Sequence, residues 1–220
     1  RTGLLLGREE EGSQVTLVTS AGASEGKSST AINLSYALSQ MGRTLLIEAD
    51  LRKPSLHRNP NIPKANTVGL SELLDGGARL TEVRVPWDTH LEVIFAGKPR
   101  TRNALELLSH ARFGDLMSHL RAHYDHIVID SPPLGLVTDA LVLARQADNV
   151  VLVVKSGTSS AAAMSAAERL RQGSFNLVGV VLNMQDATRA SYGSRYGAGY
   201  GYGYGYGNQT AYGAEDPDPV

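Results

Sequence analysis

Cysteine is absent from the 220 residues, so neither disulfides nor thiolate metal sites can contribute. Long apolar runs are also missing. None approaches the ~20 residues that a membrane span needs, and no signal peptide is visible. Neither sign of charge dominates: 21 Lys and Arg stand against 22 Asp and Glu, for a net charge of −1. There is therefore no whole-protein basic field to recruit nucleic acid. These absences predict a soluble, intracellular α/β domain with a core of ordinary size. The chain opens on Arg1 rather than methionine, and we expect it to be a fragment whose upstream partner or membrane segment is missing.

What is present is organised around one turn. The run Val15-Thr16-Leu17-Val18-Thr19 reads as a buried strand, and residues 30–38 carry apolar side chains at helical spacing. Between them lies Ser20-Ala21-Gly22-Ala23-Ser24-Glu25-Gly26-Lys27-Ser28-Ser29. Strand, small-residue loop, Gly-Lys-Ser and helix make a P-loop context, although Ala21 stands where the leading glycine is usual. Small residues let backbone N–H groups approach a phosphate chain, and a helix N-terminus adds partial positive charge. In that context Lys27 reaches the β- and γ-phosphates and the Ser28 hydroxyl completes a Mg²⁺ shell.

Two further strand ends carry carboxylates. Leu45-Leu46-Ile47-Glu48-Ala49-Asp50-Leu51-Arg52 places Glu48 and Asp50 two residues apart, where alternation points both to one face. Beside a phosphate site they could share a metal and accept a proton. The competing reading is a solvated strand end with a local ion pair to Arg52. Ile127-Val128-Ile129-Asp130-Ser131-Pro132-Pro133 closes a fully apolar strand on Asp130. A carboxylate there is costly unless a cation or hydrogen bonds compensate, and Mg²⁺ is the natural compensator in a P-loop enzyme. Its alternative role is to cap the next turn.

Strands at 15–19, 44–50, 91–95, 126–130, 150–154 and 177–182 alternate with helices and read as buried on both faces. That predicts a P-loop, NTPase-like three-layer α/β sandwich with a mostly parallel sheet. Lys27, Asp50 and Asp130 all fall at carboxyl ends of strands, where such folds bind ligands. Pro86 and Trp87 read as a loop anchor. From about residue 190 the composition changes to alternating glycine and tyrosine, with Tyr192, Tyr196, Tyr200, Tyr202, Tyr204, Tyr206 and Tyr212 before an acidic end. Glycine at every second position makes ordering costly. The predicted organisation is a domain over 1–190 and a disordered tail over 191–220.

These motifs resemble the Walker A, A′ and B set of the bacterial tyrosine kinases of capsule and exopolysaccharide assembly. Further similarity lies in Gly69-Leu70-Ser71-Glu72-Leu73-Leu74, Ala104-Leu105-Glu106-Leu107-Leu108, residues 124–130, Val137-Thr138-Asp139-Ala140 and Val180-Val181-Leu182-Asn183. The resemblance implies ATP-dependent tyrosine autophosphorylation in trans, within a ring-shaped homo-oligomer. It also implies a membrane adaptor of the chain-length-regulator type, either fused upstream or on a separate chain, a place at the inner face of the cell membrane and a cognate tyrosine phosphatase. By position it assigns nucleotide binding to Gly22, Ala23, Ser24, Glu25, Gly26, Lys27, Ser28, Ser29 and Asn183. Mg²⁺ falls to Ser28, Asp50 and Asp130, catalysis to Lys27, Glu48, Asp50, Arg52 and Asp130, and phosphate acceptance to the seven tail tyrosines. Glu48 stands where the family has aspartate, a proposed general base, and Ser24 where many members have glycine. The family's N-terminal Glu-x-x-Arg-x-x-Arg helix is missing, apart from Arg1-Thr2.

The alternative is a partition- or septum-type switch ATPase, which shares the fold. That family carries a signature lysine five residues before the P-loop lysine, a position held here by Gly22. A non-catalytic module with an adhesive Gly-Tyr tail is the third reading.

Overall fold

The β-branched run at residues 15–19 grows by one residue at each end into β1 (Gln14–Ser20), in which Val15, Leu17 and Val18 are wholly buried. The computed structural model describes residues 12–64, 67–98, 103–135 and 138–185. In it β1 lies between β5 (His126–Asp130) and β6 (Asn149–Lys155), parallel to both. Outside β5 come β2 (Thr44–Glu48) and then β4 (Leu91–Ile94), again parallel. The edges are β3 (Arg84–Asp88), antiparallel to β4, and β7 (Leu177–Asn183), parallel to β6. The order is β3-β4-β2-β5-β1-β6-β7. The tail boundary at 190, its predicted disorder and all seven tail tyrosines lie outside the described residues.

Alternation along the central strands divides the core in two. Leu45, Ile47, Ile127 and Ile129 join a cluster with Leu107, Phe113, Leu143 and Leu170. These last come from α4 (Ala104–Ser109), α5 (Ala111–Arg121), α6 (Asp139–Ala144) and α7 (Ser160–Gln172). The intervening Leu46 and Val128 face the other way, onto Ala31, Ile32 and Leu38 of α1 (Lys27–Ser39). Two short helices, α2 (Leu70–Asp75) and α3 (Leu80–Val83), precede β3. Helices thus cover both faces, as the apolar runs predict.

Two readings need correction. Pro86 and Trp87 belong to edge strand β3, with a register shift between Pro86 and Asp88. An edge tolerates a residue that cannot donate to the ladder. The last apolar run is not buried on both faces: in β7 Val180 is 58% and Leu182 57% exposed. An outer strand has a neighbour on one side only, and an apolar sequence by itself does not say which strand is outermost.

Candidate nucleotide site

Parallel pairing brings the ends of β1, β2, β5, β6 and β7 to one side of the sheet, where the loop between β1 and α1 crosses them. Gly26 precedes α1 with φ +88°, and a Cβ there would lie 1.9 Å from Asn183 Nδ2. That nitrogen donates to the Glu25 carbonyl at 3.0 Å, so Asn183 supports the loop from beneath. The Glu25 carboxylate is buried and turned inward, accepting from Gly22 N–H (2.8 Å) and Thr158 Oγ1 (2.6 Å). These contacts give two of the residues assigned by position a part in holding the loop. The Glu25 side chain and the Gly22 N–H shape it.

Ser24 has φ +59°, in the left-handed region. Its place among family glycines thus has a conformational cause. Replacing Ser24 by Gly is expected to raise stability by about 0.5–1 kcal/mol, because relief of roughly 1–2 kcal/mol outweighs the entropy glycine adds to the unfolded chain. The Gly26→Ala change should instead destabilise by about 2–3 kcal/mol through its φ and its clash with Asn183. Urea midpoints of both variants check this pair.

No side chain caps the N-terminus of α1. The N–H groups of Lys27, Ser28 and Ser29 therefore point outward without helical partners, as an anion requires. Lys27 Nζ lies 3.2 Å from Asp50 Oδ2, 3.7 Å from Asp130 Oδ1 and 3.3 Å from Ser28 Oγ. Ser55 Oγ donates to Ser28 Oγ at 3.0 Å. Asp130 is fully buried, and neither of its oxygens has a hydrogen-bond partner. Burial pushes its carboxyl up to about 6; Lys27 and the Ser28 hydroxyl pull it down, and Glu48 and Asp50 push it up. Such an orphaned carboxylate beside a serine hydroxyl fits a hydrated Mg²⁺. The described residues contain no group of three or more His, Cys, Asp or Glu able to hold a metal, so phosphates and water must complete its shell.

Glu48 is the main departure from the predicted site. Its carboxylate accepts from Ser55 N–H (2.6 Å), Leu56 N–H (2.7 Å) and Ala96 N–H (3.0 Å). It is 1% exposed, and these three contacts make it a strut between the end of β2 and the backbone at residues 55, 56 and 96. Asp50 does line the cleft, and its Oδ1 accepts from Lys53 N–H at 3.1 Å. Arg52 stands at the cleft but is held by Asp139 at 2.7 and 3.1 Å, with Asn103 at 3.3 Å.

The cleft has a volume of about 460 Å³. Ala23, Ser24, Gly26, Lys27, Ser28 and Ser29 line one part of it, and Asp50, Arg52, Lys53, Ser55 and Arg58 another. Sequence reasoning missed Lys53, Ser55, Arg58 and Met184 on this surface, and Asp139 behind it. The first three had a signal, in that they follow Asp50 directly in a long polar loop.

Residues 12–211 match a ParA-type family model described as NUBPL iron-transfer P-loop NTPase. The tyrosine-protein kinase YwqD of Bacillus subtilis (strain 168) is 39% identical over 184 residues, covering 82% of this chain and 76% of YwqD. Among solved structures, the VpsO kinase domain superposes with a TM-score of 0.76 at 34% identity, over 84% of this chain and 91% of that one. The kinase domain of Escherichia coli tyrosine kinase ETK gives 0.78 at 30% identity, over 93% and 77%. The septum site-determining protein MinD of Pyrococcus horikoshii OT3, with Mg-ADP, gives 0.64 at 21% identity over 77% and 70%, a likeness of fold alone.

Proposed function

This chain belongs to the bacterial tyrosine-protein kinase family, and from that premise we propose that it uses ATP and Mg²⁺ to phosphorylate Tyr192, Tyr196, Tyr200, Tyr202, Tyr204, Tyr206 and Tyr212 of a second copy. The observation that carries the reading is Asp130, a buried carboxylate without hydrogen bonds, set beside Lys27 and Ser28 at an uncapped helix start.

Lys27 and the N–H groups of residues 27–29 would hold the phosphates. Ser28, Asp50 and Asp130 would hold Mg²⁺, which when bound neutralises charge on the phosphate oxygens. The bond from the γ-phosphorus to ADP breaks as one to the tyrosine oxygen forms, and the phenol proton leaves. Asp50 is committed to Lys27, the Lys53 N–H and the metal, so the proton would pass late, to a phosphoryl oxygen of the transferred group. A loose transition state asks little of a base, so positioning and charge dominate. Arg52, pinned by Asp139, contributes a fixed positive charge at the cleft.

We place this activity in exopolysaccharide or capsule polymerisation and export, at the inner face of the cell membrane. There it works with a membrane adaptor of the chain-length-regulator type, a homo-oligomeric ring and a cognate phosphatase. Among the described residues no helix is long and apolar enough to cross a membrane. Transfer in trans is tested by mixing two variants. A chain with all seven tail tyrosines replaced by Phe acts as enzyme, and a Lys27→Met chain as acceptor. We expect phosphotyrosine on the Lys27→Met chain, with a rate that depends on both concentrations. No transfer in the mixture, from an enzyme chain that still binds ATP, would overturn transfer in trans.

A further inference from the structure

Four cations line the cleft: Lys27, Arg52, Lys53 and Arg58. Two already have carboxylate partners, Lys27 in Asp50 and Asp130 and Arg52 in Asp139. Lys53 and Arg58 are exposed, and their side chains have no carboxylate partner among the described residues. They do not ride on a free loop. Glu48 grips the Ser55 and Leu56 N–H groups, Asp50 grips the Lys53 N–H, and Leu56 is wholly buried. The backbone carrying the two unpaired cations is thus fixed beside the phosphate site.

The acceptor tail carries its tyrosines at a regular spacing. Tyr200, Tyr202, Tyr204 and Tyr206 occur at every second position. In an extended chain such residues share one face, with neighbours roughly 6.8 Å apart. A neutral tyrosine offers these cations only its ring face, for a cation–π contact, whereas a phosphotyrosine brings about −1.5 to −2 charges and three acceptor oxygens. We propose that Lys53 and Arg58 form a subsite for a phosphotyrosine already present on the incoming tail, so that one modification speeds the next on the same tail. The subsite rests on the trans-kinase reading above and adds to it a preference for a phosphorylated neighbour. Two charge-assisted contacts at an exposed site correspond to roughly a three- to tenfold gain in kcat/KM.

The test uses the seven-Phe chain as enzyme and two Lys27→Met acceptors. One acceptor is unmodified; the other carries a single phosphotyrosine at position 204, installed by ligation. The primed acceptor is expected to gain further phosphate about three- to tenfold faster per available tyrosine, and salt near 0.5 M should shrink that ratio by screening. In a Lys53→Ala/Arg58→Ala enzyme the ratio should fall to about one, whatever happens to the unprimed rate. Equal rates for the two acceptors with the parent enzyme would overturn the subsite while leaving trans phosphorylation intact. An unchanged ratio in the double variant, with a raised KM for ATP, would assign the two cations to the nucleotide and also overturn it. Transfer to neither acceptor would contradict the trans-kinase reading itself, a result distinct from equal rates.

Discussion

The Asp130→Asn variant is expected to lose phosphotyrosine formation by about 10²–10³-fold and yet, without nucleotide, to resist unfolding better than the parent above pH 6. Both effects have one cause. Asp130 is a charge that the protein alone compensates only in part: it is fully buried, neither oxygen has a hydrogen-bond partner, and Lys27 Nζ stands 3.7 Å away. Its folded-state value of about 6 lies above the ordinary 3.8. The folded chain therefore binds the proton more tightly than the unfolded one. Below pH 4 the group costs nothing. Between pH 4 and 6 the folded state holds the extra proton, so stability falls as pH rises, and above pH 6 the whole penalty applies. A shift of this size corresponds to roughly 3 kcal/mol, of which the buried amide of the Asn variant gives back part.

Urea unfolding of parent and variant between pH 4.5 and 7.5, in parallel with intact-mass assays, measures both sides. The stability difference should grow in favour of the variant up to about pH 6 and then level off. A variant that is inactive and less stable throughout would mean that Asp130 is structural.

Replacing Glu48 should act on the fold before it acts on chemistry. Three backbone N–H groups, from Ser55, Leu56 and Ala96, converge on its two oxygens. In a Glu48→Gln variant one oxygen becomes an NH₂ group that must face an N–H, and a buried donor loses its acceptor. We expect a loss of about 2–3 kcal/mol. The Glu48→Asp side chain is shorter by one methylene and cannot span the same three donors, so it should not restore stability. A general base predicts the opposite pattern, with intact stability, a rate loss of about 10²–10⁴-fold for Gln and substantial activity for Asp. Denaturant midpoints and kcat for the two variants separate the readings, and a stable, slow Glu48→Gln rescued by Glu48→Asp would reinstate the base.

That Glu48 turns away from Asp50 while Asp130 stands beside Lys27 is a matter of where alternation stops. Positions 48 and 50 share a face only if the strand continues through both. In fact β2 ends at Glu48, Ala49 N–H bonds to the Asp130 carbonyl, and the two carboxylates part: Glu48 accepts from the Ser55, Leu56 and Ala96 N–H groups and Asp50 from the Lys53 N–H. Asp130 closes β5 as its apolar run indicates, and Lys27 opens α1 as the P-loop pattern requires. Contacts between distant residues were beyond reach. Asp139 meets Arg52 across 87 positions and Thr158 meets Glu25 across 133, and no local pattern marks either pair. The sheet was legible because Leu45, Leu46 and Ile47 form an unbroken apolar run on a central strand. The same kind of run at β7 gave the wrong burial because it lies at the edge. Proline concealed β3.

Intact mass of the full chain after incubation with ATP and Mg²⁺, beside a Lys27→Met control, tests the central claim most directly. The parent should gain phosphate in steps up to seven, mapping to the tyrosines at 192, 196, 200, 202, 204, 206 and 212, while the control gains none. ATP turnover without any mass increase on the parent would contradict the account and point to a switch ATPase.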